Sequence, residues 1–503
     1  MKNKLNESKG ITLIALIITI IILLILAGII IGSISNSGLI DHSRDATQKY
    51  KKAQVDESDA LQYMEQEIDK SIDKPKIEDT SSKGVYAKTY DIDGDTSTAE
   101  ILFLSNSAST TYSSGTLVND FGNQNNTTYQ ASSSDNIPLW KSDSGHSYEN
   151  PSITKVVVND IITPDNMKNW FSGFTNVTVF EGLNKINTSK VTNMSCVFAG
   201  AGTTSTNIDI DSWVTDNVSD FNCMFNNTKA SKLKFNKVNI KKTNTDIKDI
   251  FRSSKINDIE INNWNITGTI NSSGIAYSGT NMETDNLNMN NWTFGNNNYS
   301  LANVFESSTI NNFNAKYWVG TGNNEINFNR FTIYSHINNL DISGWKNFKI
   351  NNAAQMFKSA NIVSLNAKGN RTCVVKGTAS EMFYGNEQMT NLDISMFNFS
   401  EVTNLNNTFA ECRKIKELDL TSFDTKDVTD IERMFYDCTA LEKIYATNKF
   451  VTTGLTSTAY YVFNQNNLLK GGQGTQYSSS TMGQEYAHID GGNDNPGLFT
   501  EKN

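Results

Sequence analysis

Aromatic residues return at a fixed interval through most of this chain. Several phenylalanines are 26 residues apart, and slips of one or two residues extend the series to Phe171, Phe198, Phe225, Phe251, Tyr277, Phe305, Phe331, Phe357, Phe383, Phe409, Phe435 and Phe463. A period of this length is typical of solenoids, whose units are too small to bury an apolar face alone and therefore stack on one another. The sequence predicts a solenoid over residues 165–463.

Each repeat unit combines a strand pattern with a helix pattern. In the clearest unit, residues 418–444, Leu418 and Leu420 alternate with polar residues, as in a strand with one buried face. Thr429 and Glu432 have the spacing of a capping box, and the apolar residues around them fall on one face of a short helix. We therefore predict an α/β repeat solenoid with a parallel sheet and short helices.

A second aromatic series precedes the first by twelve or thirteen residues, as Trp213, Trp292, Trp318 and Trp345 illustrate. Such a stripe could stack on sugars. Because its spacing follows the structural period, we interpret both series as core, with one aromatic pivot closing each coil.

Short motifs within these units resemble those of BspA-type leucine-rich repeat surface proteins. They include LDIS followed after one residue by Phe or Trp, and VTNM at residues 191–194. Residues 169–183 and 470–500 resemble the entry and exit caps of that family. The resemblance spans about residues 153–500, although Asn replaces many strand and turn residues between 229 and 367. It implies a leucine-rich-repeat-like fold, a bacterial cell-surface location and binding to host or matrix molecules.

The N-terminus has the pattern of a membrane anchor. Residues 11–31 carry no charge and are long enough to cross a bilayer as a helix. Lys2, Lys4 and Lys9 precede them, which predicts a cytoplasmic N-terminus and an exported C-terminal part. A removable secretory signal, cleaved after Gly32, is an alternative.

The boundary between the basic and apolar segments resembles the leader of type IV prepilins and pseudopilins. Lys9 and Gly10 directly precede Ile11, which implies that a prepilin peptidase cleaves between Gly10 and Ile11 and methylates the new N-terminus. Most such pilins have Glu as the fifth mature residue, whereas this chain has Ala15. A minor subunit or a simple membrane anchor therefore fits better than a major pilin, and an ordinary transmembrane anchor remains an alternative.

Between the anchor and the repeats, two strand patterns flank a turn at Asp93 and Gly94, which predicts a hairpin.

Together these patterns divide the chain into six predicted segments. The segments are a leader (1–10), a transmembrane and pilin-like helix (11–72), a linker (73–84), an N-terminal β cap (85–164), the solenoid (165–463) and a C-terminal cap (464–503).

Composition and motifs reduce the number of functions that the chain could have. The net charge of −10 and the scattered lysines disfavour nucleic acid as a partner. The four histidines, at positions 42, 146, 336 and 488, have no partner at metal-ligand spacing, and we expect no metal or other cofactor. Among the five cysteines, Cys412 and Cys438 share one repeat phase and Cys196 and Cys223 another. A disulfide within each pair is sterically conceivable, and buried thiols are the alternative.

We expect a bacterial cell-surface adhesion protein that is not an enzyme. Its partners would be the membrane, a prepilin peptidase and an extracellular protein or glycan ligand. One alternative is a minor pilin or pseudopilin in a type IV pilus-like filament. A second alternative is a solenoid glycan-active enzyme, which would need carboxylates converging on one patch.

Overall fold

The structure of the protein is a computed structural model, and it describes residues 85–94, 98–105, 115–123, 140, 152–270, 280–321 and 323–502. They lie within the unit Ile77–Asn503, one of two units into which the chain divides. No helix in these residues is long and apolar enough to cross a membrane. The leader, the anchor helix and the linker, with Gly10 and Ile11, lie outside the described residues, as does Tyr277.

The described residues form 24 short strands. In chain order these are β1 (Tyr86–Asp91), β2 (Ala99–Leu104), β3 (Thr116–Asn123), β4 (Ile153–Val158), β5 (Val179–Glu181), β6 (Asn207–Asp209), β7 (Lys229–Lys234), β8 (Asn239–Ile240), β9 (Lys255–Glu260), β10 (Asn265–Ile266), β11 (Glu283–Asn288), β12 (Thr293–Phe294), β13 (Tyr299–Ser300), β14 (Thr309–Asn314), β15 (Glu325–Asn327), β16 (His336–Asp341), β17 (Phe348–Asn352), β18 (Ser364–Asn366), β19 (Cys373–Thr378), β20 (Asn391–Asp393), β21 (Phe397–Asn404), β22 (Glu417–Asp419), β23 (Lys443–Ala446) and β24 (Thr500–Glu501). Four 3₁₀ helices of three residues each accompany them, at Leu183–Lys185, Thr188–Lys190, Gln484–Tyr486 and Gly492–Asp494.

Successive coils pair in parallel, so the fold is a parallel β-solenoid. The main sheet has eight strands in the order β20-β18-β16-β14-β11-β9-β7-β6. A five-stranded sheet (β13-β15-β17-β19-β21) and a three-stranded sheet (β12-β10-β8) line other sides of the coils. Each apolar strand residue lies beside its counterpart one coil away, as Leu287 lies between Ile259 and Phe313. The predicted solenoid and its parallel sheet are therefore confirmed.

The short helix predicted in each coil is wrong, because the described residues contain no α-helix. The capping box predicted in the clearest unit also does not form. The Asp430 carboxylate accepts a hydrogen bond from the Glu432 N–H (2.8 Å), and the Thr429 hydroxyl donates to the Thr403 carbonyl of the preceding coil (3.1 Å). The Asp430 side chain therefore starts a turn, and the Thr429 side chain, expected to cap a helix, joins two coils.

Two left-handed residues in each of these turns prevent a helix. They flank the aromatic pivot, as Arg433 (φ 55°) and Asp437 (φ 58°) flank Phe435. An α-helix requires φ near −60° at every residue, so two positive values interrupt it. Alternate backbone N–H groups donate to the next coil instead, as the N–H of Phe435 does to the carbonyl of Val462 (2.9 Å). The N–H groups between them close local turns, as that of Met434 does to the Ile431 carbonyl (3.1 Å).

Stacked phenylalanine rings fill the core beneath the turns. The ring centroids of Phe383 and Phe409 are 5.3 Å apart with planes 7° from parallel, and those of Phe409 and Phe435 are 5.8 Å apart at 2°. All three side chains are fully buried. The prediction that these pivots form core is confirmed.

Phe331 is an exception to the predicted series. The N–H of Phe305 donates to the Phe331 carbonyl, which in other coils belongs to the residue before the pivot. Thr332 takes the pivot position: it is buried, and its N–H donates to the Met356 carbonyl (3.0 Å). Phe331 meets Phe305 edge to face, at 81°. Its regular spacing in sequence therefore does not make it equivalent to the other pivots in the fold.

The tryptophans form a second buried column. The rings of Trp264, Trp292, Trp318 and Trp345 stack in turn at 4.7, 5.3 and 4.8 Å, with planes within 11° of parallel. Each indole N–H donates to a backbone carbonyl, as that of Trp318 does to Met289 (2.5 Å). The column is core, as predicted, and does not offer ring faces to a sugar.

Different structures close the two ends of the stack. At the N-terminal end β1 pairs antiparallel with β2 and β3, which confirms the predicted hairpin, and β2 continues into parallel pairing with β4. Tyr90 lies opposite Glu100, so the connection is longer than a two-residue turn at Asp93 and Gly94. At the C-terminal end β24 returns to pair with β23. There the carboxylate of buried Asp490 accepts hydrogen bonds from the N–H groups of Gln473 (2.8 Å), Thr475 (3.0 Å) and Gly492 (3.0 Å).

Candidate ligand-binding face

Asparagine side chains cover the middle of the main sheet. In β11, β14 and β16 the second and fifth residues are buried and the others point outward. These outward positions are mostly Asn. Its uncharged amide can form hydrogen bonds with water and with a side chain on a neighbouring strand at the same time. We call this surface the Asn face; it consists of Asp285, Asn286, Asn288, Asn311, Asn312, Asn314, Asn338, Asn339, Asp341 and Asn366.

The amides of the Asn face bond to one another across coils. The Nδ2 of Asn312 donates to Oδ1 of Asn286 (3.1 Å), and the Nδ2 of Asn339 donates to Oδ1 of Asn312 (3.0 Å). Asn338 donates in the same way to Asn311 (3.0 Å) and Asn314 to Asn288 (3.0 Å), whereas Asn311 and Asn366 donate to the carboxylates of Asp285 (2.7 Å) and Asp341 (3.0 Å). The side chains are therefore ordered before any ligand arrives.

The ladders leave hydrogen-bonding capacity for a ligand. A primary amide has two N–H donors and an oxygen with two lone pairs. Each ladder contact uses one donor and one acceptor position, so a residue such as Asn339, which is exposed, keeps a donor and an acceptor for other groups. Neighbouring coils repeat these groups about every 4.8 Å. Because the side chains are already ordered, binding there costs less conformational entropy.

The strands of the main sheet that precede the Asn face, β7 and β9, carry charged side chains. Lys232 Nζ lies 3.0 Å from a carboxylate oxygen of Asp258 and also contacts Glu260. The hydrogen bonds that the Lys232 ammonium donates to Glu260 and, second, to Asp258 raise the pKa of Lys232. The Asn face differs from this flank because most of its outward groups are uncharged amides, with Asp285 and Asp341 as its carboxylates.

The Asn face ends in a depression on its C-terminal side. The main sheet stops at β20, and β22 begins a separate sheet with β23 and β24. A cavity of about 600 Å³ lies at this break; its lining includes Asn366, Asn391, Asp393, Lys414, Lys416 and Glu417. A ligand that follows the amides along the solenoid would reach polar groups of both charges here.

A different polar network follows the turns. Arg413 contacts Glu387 and Asp437, the latter at 2.8 Å, and lies 3.5 Å from Glu411. The Tyr384 hydroxyl donates to Glu411 (2.7 Å), and this bond, with burial, raises the pKa of Tyr384 to about 12. The sequence analysis did not predict this cluster. Its acids are held in ion pairs with Arg413.

The cysteines form no disulfide; all five lie in the described residues. Cys412 and Cys438 are buried, and their thiols contact the carbonyls of Phe383 (3.3 Å) and Phe409 (3.0 Å). Burial raises the pKa of Cys412 to about 12, so its thiol is not reactive near neutral pH. Of the two interpretations left open for this pair, buried thiols is the correct one.

Two of the four histidines lie in the residues that the structure describes. His336 begins β16 and is exposed, and His488 lies in the C-terminal cap, whereas positions 42 and 146 fall outside the described residues. In the part of the chain that the structure describes, no group of three or more His, Cys, Asp or Glu side chains could hold a metal ion.

The ladders are the part of the site that sequence reasoning missed. The Asn-rich stretch between 229 and 367 stood out only as a departure from a family pattern. A signal was present, because Asn286, Asn312 and Asn339 recur at one coil length and occupy paired positions in β11, β14 and β16. A polar residue that repeats with the structural period predicts a ladder in the same way as an apolar one.

Comparison with known proteins gives one match. A family model described as "Mycoplasma protein of unknown function, DUF285" matches residues 165–292 and 372–471. No curated protein and no solved structure matches the chain. The matched residues cover somewhat less than half of the chain and lie within the solenoid. The match and the β-solenoid together fit a BspA-type repeat surface protein.

Proposed function

We propose that the chain is a bacterial cell-surface display and adhesion protein whose Asn face binds an extracellular glycan or protein. The observation that carries the proposal is the set of amide ladders, which hold Asn donors and acceptors in a fixed, repeating array beside the carboxylate of Asp285. Such an array matches a polymer that presents hydroxyl or amide groups at regular intervals. The ligand is bound and released unchanged, without a metal or other cofactor.

The proposal includes an N-terminal anchor. The uncharged segment 11–31 would cross the membrane, and a prepilin peptidase would cut between Gly10 and Ile11. The same motif favours a second candidate function, a minor subunit of a type IV pilus-like filament. In either case the solenoid would be displayed outside the cell.

Binding by the Asn face is tested with the full chain in detergent micelles. Labelled protein is applied to arrays of neutral glycans and extracellular-matrix proteins, and saturable binding is measured. Asn339→Arg places a bulky cation on the face at the cost of one ladder bond, and we expect it to weaken binding at least tenfold. Asn370→Arg, at an exposed position off the face, is the matched control and should bind normally. Equal binding by both variants would exclude the face as the site.

The anchor is tested by mass spectrometry of the mature N-terminus from membrane-extracted protein. A methylated Ile11 is the expected product. An intact Met1, or a new terminus after Gly32, would overturn the prepilin route. Co-purification with sheared filaments would favour the minor-pilin candidate over a membrane anchor.

A further inference from the structure

A groove lies at the corner between the first turns of the solenoid and the main sheet, away from the Asn face. It has a volume of about 460 Å³, within the range of small-ligand sites. We call it the lysine groove; it is lined by Ser172, Gly173, Thr175, Ala199, Gly200, Gly202, Asn226, Asn227, Lys229, Ser253 and Lys255. The lining contains no carboxylate, although the whole chain has a net charge of −10.

Two glycines leave the space that forms the groove. Gly173 (φ 71°) and Gly200 (φ 67°) occupy the left-handed position that follows the aromatic pivot. In the next coils Asn227 (φ 54°) and Ser253 (φ 56°) hold the same position. A side chain is therefore sterically allowed there, and the missing side chains at the two glycines open the surface beside the later coils.

Two lysines form one wall. Lys229 and Lys255 are paired residues at the starts of β7 and β9, and both are exposed. Lys255 lies 2.9 Å from Glu283, which partly neutralises it. Within the described residues the Lys229 ammonium makes no ion pair or hydrogen bond. Lys229 is therefore the cation available to a ligand.

The remaining polar groups describe the rest of the ligand. Hydroxyl groups of Ser172, Thr175 and Ser253 and the amides of Asn226 and Asn227 surround the lysines. The groove is much larger than an inorganic anion requires, and its uncharged donors and acceptors suit sugar hydroxyls.

We propose that the lysine groove binds a carboxylate-bearing sugar unit, with the carboxylate at Lys229 and the hydroxyls at the Ser, Thr and Asn side chains. The groove proposal rests on the proposed function in one respect, which is that the ligand is an extracellular glycan. Uronic acids and sialic acids share this chemistry, and the experiment separates them.

The test uses the full chain in detergent micelles and isothermal titration with glucuronic acid, N-acetylneuraminic acid, glucose and sodium sulfate. We expect one of the two acidic sugars to bind more tightly than glucose and sulfate, and added salt to weaken that binding. Lys229→Gln should weaken it at least tenfold. Gly200→Asn should do the same by filling the groove with a residue that Asn227 shows to be tolerated in the adjacent coil. Lys346→Gln, an exposed lysine elsewhere, is the control.

Other outcomes overturn the proposal. The proposal fails if neither acidic sugar binds, or if glucose or sulfate binds as tightly as the acidic sugars. It also fails if the Lys229→Gln variant, shown by its tryptophan fluorescence to be folded, binds the acidic sugar as tightly as the parent. Asn339→Arg, which tests the Asn face, should leave acidic-sugar binding unchanged. Failure of the groove and failure of the face are thus separate results.

Discussion

At the scale of single residues, Asp490 shows how one buried carboxylate organises the C-terminal cap. Burial by itself would raise the pKa of Asp490, but hydrogen bonds from Thr475, Gly492 and Gln473 outweigh it and lower the pKa to about 2. The Thr475 hydroxyl (2.7 Å) is among these donors. Ionised Asp490 thus ties its own loop to the loop around Thr475, 15 residues earlier in the chain.

This pKa predicts acid sensitivity of the cap. Because the pKa is lowered on folding, the contribution of Asp490 is present above about pH 4 and is lost as the pH falls towards 2. Its size is about 1–2 kcal/mol after allowance for solvent screening. Hydrogen exchange at the Thr475 amide should accelerate over that pH range relative to unperturbed amides. Asp490→Asn should exchange quickly even at pH 7, whereas Asp494→Asn, an exposed control, should behave as the parent.

At the scale of elements, the amide ladders should stabilise the sheet in proportion to the bonds they make. Asn312 takes part in two ladder bonds and Asn339 in one. We expect Asn312→Ala to lower the free energy of unfolding by about 1–2 kcal/mol and Asn339→Ala by about half as much. Urea titrations followed by circular dichroism measure both. Equal losses in the two variants would mean that stability does not scale with the number of ladder bonds.

The tryptophan column makes a similar prediction in the core. Trp318 is fully buried between Trp292 and Trp345, and its indole N–H satisfies the Met289 carbonyl. Trp318→Phe keeps a ring but leaves that carbonyl without its donor, so we expect a loss of about 2 kcal/mol. Thermal unfolding monitored by fluorescence tests this. A decrease in the free energy of unfolding below about 0.5 kcal/mol would mean that water replaces the indole hydrogen bond or that this bond makes no net contribution to stability.

At the scale of the whole molecule, each coil pairs only with its neighbours in the sheets. Stability in such a stack spreads from coil to coil rather than over one core. Trp318→Ala, a large cavity substitution, should therefore raise hydrogen exchange most in the coils around Trp292 and Trp345. The effect should decline towards Phe435. Uniform acceleration along the described solenoid would show a single cooperative unit instead.

The repeat period, the parallel sheet and the buried aromatic series could be predicted from the sequence, because a polar or apolar residue that returns once per coil must occupy the same layer. The helix prediction failed for a physical reason. Thr429 and Glu432 have the spacing of a helix cap, but left-handed residues such as Arg433 turn the chain before a helical turn can close. That conformation appears at Arg, Glu, Gln and Cys as well as Gly and Asn, so residue type does not reveal it.

The sequence by itself determined that this chain is a stack of coils with aromatic residues inside. Only the tertiary structure decided which residues share a position. It moved the pivot from Phe331 to Thr332, placed Asn286, Asn312 and Asn339 in one ladder, and put Lys229 beside Gly200. The reason is that the period gives the length of a coil, whereas the hydrogen bonds between coils fix its register.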